Sequence, residues 1–201
     1  MKAETQANRV LEYARQHGII RPRDLRQIGV PRAVLRRLAD RGELVQRSRG
    51  VYTVPEHETT SQTDLAEVCA RAPKAVVCLV SALQFHGLTT QVPHAVWIMI
   101  DRRGWRPKIK RPRLRIVYAS GRALTEGVET HAIEGVSVRM TRPAKTVADC
   151  FKYRDHVGQD VAIEALRDCL RQRKATPSEI YEMAKVDRVA KRLRPYMEAL
   201  A

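Results

Sequence analysis

The spacing of apolar residues predicts a series of short elements in the first quarter of the chain. Apolar positions from Thr5 to His17 recur every three or four residues, as on one face of a helix that Gly18 would end. Val34, Leu35 and Leu38 repeat this pattern, and two β-rich runs follow them. The pattern predicts helices over residues 5–17, 21–29 and 30–41, a short β-like pair at 19–20, and strands over 43–47 and 51–54.

This order of elements is typical of a winged helix-turn-helix. In that architecture the third helix lies in the major groove of DNA, and the tip of the following hairpin contacts phosphate or the minor groove. Ser48-Arg49-Gly50 would form this tip, with glycine supplying a positive φ. We therefore predict an N-terminal winged helix-turn-helix domain over residues 1–55.

The rest of the chain mixes helical and strand patterns without strict alternation, which favours an α+β fold over a doubly wound sheet. Residues 55–62 are polar and lack periodicity, so we predict a linker there and a second domain over residues 63–201. Ser61 with Asp64 resembles a capping box at the start of a helix. Further helices are predicted over 77–86, from 141 onward, over 159–171 and from 176 to 200, and strands over 95–100, 114–118, 129–133 and 136–140.

The charge of the chain is concentrated in two places. Among 201 residues, 44% are apolar, which allows a sizeable core, and the formal net charge is +15. Residues 1–54 hold 12 Lys and Arg against 5 Asp and Glu, and residues 101–122 hold 9 against 1. A local excess of this kind is expected of a protein that binds a polyanion.

The arginines of the first basic block are candidate DNA contacts. A planar guanidinium can bind guanine or a phosphate through two parallel hydrogen bonds. The alternatives are a solvated helix face and a module that binds protein, and the sequence leaves open which arginines meet bases and which meet phosphates. The candidate DNA-binding residues are Arg23, Arg32, Arg36, Arg37, Arg41, Arg47 and Arg49.

The second basic block lies between two predicted strands, and its glycine and two prolines predict a loop over residues 102–113. It places Trp105 among seven basic side chains, a composition suited to phosphate contact and base stacking. The alternative is a solvated loop with Trp105 folded back onto the sheet. This second basic surface, a candidate for contact with nucleic acid or an acidic partner, comprises Arg102, Arg103, Trp105, Arg106, Lys108, Lys110 and Arg111.

The sequence contains none of the common patterns of catalytic or cofactor sites. It lacks Gly-x-x-x-x-Gly-Lys-Ser/Thr, Gly-x-Gly-x-x-Gly and His-Glu-x-x-His, and its six histidines do not cluster at ligand spacing. We therefore predict a protein that is not an enzyme and holds no cofactor or metal. The enzymatic alternative is a nuclease that uses Asp101 or Asp149, although Asp149 falls inside a predicted helix.

The chain shows no pattern of secretion or membrane insertion. Its longest apolar runs, residues 75–80 and 95–100, are far too short to cross a bilayer, and its N-terminus lacks an apolar core. The four cysteines, at positions 69, 78, 150 and 169, form no Cys-x-x-Cys pair and are predicted to be reduced thiols. We expect a cytoplasmic protein without membrane contact.

Two longer motifs of the second domain are specific enough to compare with a known family. The first, Ser-Ala-Leu-Gln-Phe-His-Gly-Leu-Thr-Thr-Gln over residues 81–91, leads into Pro93-His94 and Trp97-Ile98. The second joins Glu134-Gly135-Val136 to Thr-Arg-Pro-Ala-Lys-Thr-Val-Ala-Asp over residues 141–149. Together they resemble the AbiEi family of bacterial antitoxins from type IV toxin–antitoxin systems. The resemblance spans nearly the whole chain, with the winged helix first and the antitoxin domain second.

The resemblance implies a DNA-binding repressor of its own operon with a role in phage defence. Its partners would be double-stranded operator DNA, as inverted repeats, and a nucleotidyltransferase-like toxin that it opposes without requiring a stable complex. It would be a monomer or weak dimer that pairs on DNA. Carried onto this chain, the operator contacts would be Arg32, Arg36 and Arg37, with Arg47 and Arg49 in the hairpin.

Two further observations bear on this resemblance. The toxin's own pattern, Gly-Ser followed by Asp-x-Asp, does not occur in the sequence, which favours the antitoxin side of the pair. The motifs at 81–87 and 141–145 are expected to maintain the fold. The alternatives to an antitoxin are a solitary winged-helix regulator and a protein-interaction module that holds an acidic partner.

Overall fold

The computed structural model describes residues 5–200 of the chain. The chain divides into two compact units. Unit 1 comprises Met1–Pro73 together with Ala132–Ser137, and unit 2 comprises Lys74–His131 together with Val138–Ala201. The α+β class predicted from the sequence is confirmed, while the domain limits at residues 55 and 63 stay a prediction.

Unit 1 is built from short helices and one two-stranded hairpin. Helix α1 begins where the Thr5 side chain accepts a hydrogen bond from the amide of Asn8, and it ends at Gly18, as predicted. The antiparallel strands of the hairpin pair Val45 with Thr53. The elements of unit 1 are α1 (Gln6–His17), a 3₁₀ turn (Asp24–Arg26), α2 (Ala33–Asp40), β1 (Val45–Ser48), β2 (Val51–Thr53) and α3 (Ser61–Arg71).

A single apolar core lies beneath these elements. Ile20 forms an isolated bridge with Tyr52, so the segment after α1 lies beside the hairpin. The three apolar positions predicted for the third helix, Val34, Leu35 and Leu38, are all buried. The buried core residues are Val10, Ala14, Ile20, Leu25, Val30, Val34, Leu35, Leu38, Leu44 and Val54.

The helix predicted over residues 21–29 is wrong, because only a three-residue 3₁₀ turn forms there. The carboxylate of buried Asp24 accepts hydrogen bonds from both the amide and the guanidinium of Arg21, at 2.9 and 2.7 Å. The amides of Asp24 and Gln27 donate to the carbonyls of Arg21 and Asp24, three residues earlier, at 2.9 and 3.0 Å, which is the backbone pattern of a 3₁₀ turn and not of an α-helix. Helix α2 likewise begins at Ala33, later than the predicted start at Val30.

The tip of a later hairpin also belongs to unit 1. Glu134 accepts a hydrogen bond from the Thr63 hydroxyl at 2.6 Å, and its other oxygen lies 3.0 Å from His57 Nε2. The carbonyl of Gly135 accepts a hydrogen bond from the Arg21 guanidinium at 2.9 Å. Thr63 also completes the capping box of α3 with Thr60, so the predicted box at Ser61 is displaced by one residue.

Unit 2 supplies most of a five-stranded mixed sheet with the strand order β5-β4-β3-β7-β6. Strand β4 pairs antiparallel with β3 and parallel with β5, while β3 pairs parallel with β7. Its strands are β3 (Val76–Val77), β4 (Val96–Asp101), β5 (Leu114–Ala119), β6 (Val128–Ile133) and β7 (Val136–Thr141). Its helices are α4 (Leu79–His86), α5 (Arg122–Thr125), α6 (Pro143–Lys152), α7 (Arg154–Val157), α8 (Gln159–Arg171), α9 (Pro177–Val186) and α10 (Ala190–Leu200).

Two predicted helices differ from the structure. The helix expected over 77–86 begins at Leu79, because Val76–Val77 is inserted as a strand between β4 and β7. The helical pattern expected from 176 to 200 forms two helices, α9 and α10, because α9 ends at Val186 and Asp187 caps it. The carboxylate of Asp187 is turned inward to the ammonium groups of Lys145 and Lys152, each 3.0 Å away.

Helix α6 is the centre of unit 2, where it packs against α4, α8, α9 and α10. Its fully buried Lys145 donates to Asp149 on the next turn and to Asp187. Burial raises the pKa of Asp149 to about 8, although the ammonium of Lys145 opposes this shift. The second Asp149 oxygen, Oδ2, has no hydrogen-bond partner within the described part of the chain.

The motifs at 81–91 and 141–149 contribute buried polar contacts to this core. The hydroxyl of Thr146 donates to the carbonyl of Thr141 at 3.0 Å, and His86 Nε2 lies 2.8 Å from that same carbonyl. The hydroxyl of Ser81 accepts a hydrogen bond from the amide of Trp97 at 2.9 Å. At φ +66°, Gly127 leaves no room for a Cβ atom, which would lie 2.7 Å from that of Lys145.

Two predictions about the chain as a whole can be compared with the structure. All four cysteines are free and buried, as expected of reduced thiols. Across residues 5–200, every helix is too short or too polar to span a membrane.

Loss of the buried ammonium is expected to destabilise unit 2 strongly. Replacing Lys145 with alanine leaves Asp149 and Asp187 buried without their cation, so the free energy of unfolding should fall by about 3–5 kcal/mol. Lys185→Ala removes an exposed pair with Glu182 and should cost about 0–1 kcal/mol. Urea denaturation followed by circular dichroism measures both. An equal loss of unfolding free energy in the two variants would show that the buried ion pair stabilises the protein no more than the exposed one.

The thiols should be inert in the folded protein. Burial raises the pKa of the Cys69 thiol to about 12 and that of Cys169 to about 11, which removes the reactive thiolate. We expect Ellman's reagent to label the native protein at least tenfold more slowly than the protein unfolded in guanidinium, which should release four equivalents. Rapid labelling of the native protein at neutral pH would contradict the buried positions.

Candidate nucleic-acid interface

Helix α2 has one apolar face and one basic face. Its apolar residues point into the core of unit 1, which leaves the remaining positions of the helix in solvent. Helical spacing then places Arg36 and Arg37 on the side opposite the core, with Arg32 directly before the helix and Arg41 directly after it. All four guanidinium groups are exposed.

Few carboxylates compete for these arginines. Arg36 Nε lies 4.0 Å from Asp40, but both side chains are more than two-thirds exposed, so this pair contributes little and can open easily. Arg41 lies 4.0 Å from Glu43. Within residues 5–200, neither Arg32 nor Arg37 has a carboxylate within ion-pair distance. The face therefore presents positive charge that is available to a polyanion.

The hairpin after α2 carries two of the predicted residues in different settings. Arg47 lies at a register shift in β1, and its Nε is 4.0 Å from the buried carboxylate of Glu67 on α3. Arg49 occupies the two-residue tip beside Gly50, whose φ of +74° fits a tight turn. Arg49 is exposed and, among the described side chains, has no carboxylate partner. Arg49 is therefore the more available of the two.

One predicted residue lies apart from this face. Arg23 is exposed before the 3₁₀ turn, with its Nε 3.9 Å from Asp24. The neighbouring Arg21, which was not among the predicted contacts, is buried against Asp24 and Gly135 and so performs a structural task. The predicted arginines therefore fall into two groups, one on and beside α2 and the other in the β1–β2 hairpin, with Arg23 outside both.

The second basic surface is a loop between two strands of unit 2, as predicted, and the structure shows that these strands are parallel. Residues 102–113 connect β4 to β5 without a helix or strand. Trp105 is 79% exposed, and the ammonium of Lys108 lies 5.6 Å from the centre of its ring. The alternative in which Trp105 folds back onto the sheet is therefore wrong. The exposed members of the predicted set are Arg102, Arg103, Trp105, Arg106, Lys108, Lys110 and Arg111.

The structure adds three basic residues that the predicted set left out. A cleft of about 310 Å³ lies between the loop and β5, and it is lined by His94, Arg113 and Arg115 as well as by Arg106 and Lys110. Arg113 and Arg115 alternate with apolar residues at the start of β5, and this alternation is visible in the sequence. His94 could not be found from the sequence, because only the fold places it near the loop.

The structure gives no support to the nuclease alternative. Asp149 is fully buried and bonded to Lys145, where a phosphodiester could not reach it. Asp101, at the end of β4, accepts a hydrogen bond from the amide of Arg103 at 2.7 Å. In the described part of the chain, no group of three or more His, Cys, Asp or Glu side chains is placed to hold a metal ion.

Comparison with known proteins places the best-defined similarity in unit 1. Residues 8–55 match the family model described as "Transcriptional regulator, AbiEi antitoxin". No curated protein matches the chain. Among solved structures, the crystal structure of the RV2827C protein from Mycobacterium tuberculosis is similar at 16% sequence identity and a TM-score of 0.47, over 90% of this chain and 81% of that one.

The matched segment extends from α1 to the end of the β1–β2 hairpin, and it contains all seven predicted DNA-binding arginines. The motifs at 81–91 and 141–149 lie outside it, so the antitoxin resemblance of unit 2 stays a prediction. The description of the family names a transcriptional regulator. Over residues 8–55, the chain is therefore confirmed as a match to the AbiEi antitoxin family of transcriptional regulators.

Proposed function

We propose that the protein is a DNA-binding autorepressor of its own operon and the antitoxin that opposes a nucleotidyltransferase-like toxin. The observation that carries the proposal is the solvent face of α2, where Arg32, Arg36 and Arg37 stand exposed beside few carboxylates in the segment that matches the family. An exposed basic helix followed by a hairpin with Arg49 at its tip is the arrangement of a winged helix-turn-helix. In this proposal the helix enters the major groove.

The arginines are assigned different tasks by their positions. Arg36 and Arg37 lie at the middle of the exposed face, where a helix in the groove brings side chains to base edges. Arg49 at the hairpin tip is assigned to phosphate, and the partial pairing of Arg47 with Glu67 assigns it to orienting the hairpin. Operator DNA with inverted repeats would be bound by two protomers, which pair on the DNA.

The antitoxin half of the proposal concerns unit 2. The family description names an antitoxin, and the basic loop over residues 102–113 is the surface of unit 2 that we assign to this action. The protein would act without requiring a stable complex with the toxin. A cytoplasmic location is part of the same proposal.

Operator recognition is tested by gel shift against the DNA immediately upstream of the gene, with a scrambled duplex of equal length. Arg36→Ala with Arg37→Ala should weaken operator binding by about 1–3 kcal/mol for each base contact and reduce the preference over scrambled DNA. Arg15→Ala removes an exposed arginine of α1 and is the matched control, expected to change neither. An unaltered preference in the double variant would mean that α2 does not read the operator.

Phosphate contact by the hairpin predicts a different signature. Arg49→Ala should weaken operator and scrambled DNA alike, and the slope of log K against log salt concentration should become shallower by about 1. Fluorescence anisotropy over a salt series measures this slope. A loss confined to the operator would instead assign Arg49 to base recognition.

The antitoxin activity should be separable from repression. When the toxin encoded next to the gene is co-expressed, the wild-type chain and the Arg36→Ala, Arg37→Ala variant should restore growth equally, while only the wild type represses the promoter. Colony counts and a promoter reporter give the two readouts. Failure of the wild type to restore growth would reject the antitoxin role and favour a solitary regulator.

A further inference from the structure

Strand β5 ends the sheet of unit 2 with an open edge. It pairs with β4 alone among the described residues. The amide of Val96 donates to the carbonyl of Arg113, and the amide of Arg102 donates to the carbonyl of Ala119. The odd-numbered residues of β5 therefore direct their main-chain groups toward β4. Since main-chain groups alternate along a strand, those of Leu114, Ile116 and Tyr118 point to the open edge.

Part of this edge is already occupied. The carbonyl of Tyr118 accepts a hydrogen bond from the hydroxyl of Tyr153 at 2.8 Å. The main-chain groups of Leu114 and Ile116, in contrast, have no partner in the part of the chain that the structure describes. An unpaired strand edge is a template for another extended chain. The open stretch is therefore the first half of β5.

The cleft of about 310 Å³ lies beside this open stretch. Its lining joins Leu114 and Ile116 of β5 to Pro107 and Ile109 of the loop, and these four side chains are half-buried. The basic side chains around them are exposed, and the lining contains no Asp or Glu. The cleft thus combines half-buried apolar side chains with a rim of exposed positive ones. The rim is formed by His94, Arg106, Lys110, Arg113 and Arg115.

The charges of the rim are available to a partner. Arg106, Lys110 and Arg113 have no carboxylate within ion-pair distance across residues 5–200, while Arg115 lies 5.9 Å from the ring of Trp97. A second copy of this chain would not suit the edge, because Arg113 and Arg115 of each copy would face like charges. A nucleic acid would neutralise the arginines but would leave the main chain of Leu114 and Ile116 unpaired.

We propose that an extended acidic segment of a partner protein pairs with the edge of β5 at Leu114–Ile116, between the β4–β5 loop and the strand. The partner supplies main-chain hydrogen bonds to the edge, apolar side chains to the cleft and carboxylates to its rim. The inference rests on the proposed function, because that function assigns the second basic surface to antitoxin action. The inference adds the chemical class of the partner that this surface binds.

The test uses the full-length protein and a fluorescein-labelled heptapeptide of alternating glutamate and valine, followed by fluorescence anisotropy. We expect saturable binding that weakens at least tenfold when every peptide amide is N-methylated, since methylation removes the main-chain donors and retains the charge. A lysine-for-glutamate peptide should not bind. Equal binding of the methylated peptide would overturn the strand pairing and leave simple charge attraction.

Variants of the protein test the contacts that the rim arginines and the β5 main chain make with the peptide. Arg106→Glu with Arg113→Glu should weaken the peptide at least tenfold, whereas Arg167→Glu, on an exposed face of α8, should change it less than twofold. Ile116→Pro removes one outward amide and should abolish binding while the far-UV spectrum is retained. If this variant does not fold, the methylated peptide on the wild-type protein decides the question.

A competing ligand is included as an outcome. If single-stranded dT15 binds more tightly than the peptide, displaces it, and shows the same dependence on Arg106 and Arg113, the surface is one for nucleic acid and the proposal is overturned. Because the peptide assay contains neither operator DNA nor toxin, a failure of repression or of growth rescue leaves its result unaffected. A failed peptide titration likewise leaves operator binding intact.

Discussion

The ammonium of Lys145 between two buried carboxylates is the interaction on which unit 2 depends. Moving a charge out of water costs several kcal/mol, and the cost is offset only when opposite charges meet with good geometry. Lys145 and Asp149 lie one turn apart on α6, while Asp187 comes from the end of α9. The three groups therefore fix α6 against α9. Gly127 allows the close approach of the chain to Lys145 that this packing requires.

The two basic surfaces follow from the opposite condition, in which charges stay in water. In unit 1, burial of the apolar face of α2 forces Arg36 and Arg37 outward, and the short helix offers them few carboxylates. In unit 2, the β4–β5 connection is too rich in glycine, proline and charge to pack as a helix. Its positive side chains stay exposed beside the open edge of β5. Each surface thus results from local packing, which leaves positive side chains exposed to solvent.

The sequence predicted most elements because their signals are local. The helix over residues 159–171 and the strands over 114–118 and 136–140 depend on neighbours in the chain, and the structure contains each of them. The errors arose where a distant contact overrides the local pattern. Arg21, whose guanidinium donates to the distant carbonyl of Gly135, lies beside a tight turn where a helix was predicted, and a strand position between β4 and β7 delays the start of α4.

The sequence by itself determined the α+β class, the two blocks of positive charge and the apolar face of α2 that turns its arginines outward, because these follow from periodicity and composition. The tertiary structure decided which charges remain available. It buried Arg21 and Lys145, paired Arg47 with Glu67, and left Arg49 in solvent. It also placed the edge of β5 beside the basic loop. Such pairings depend on which residues meet across the fold, and no spacing along one chain encodes that directly.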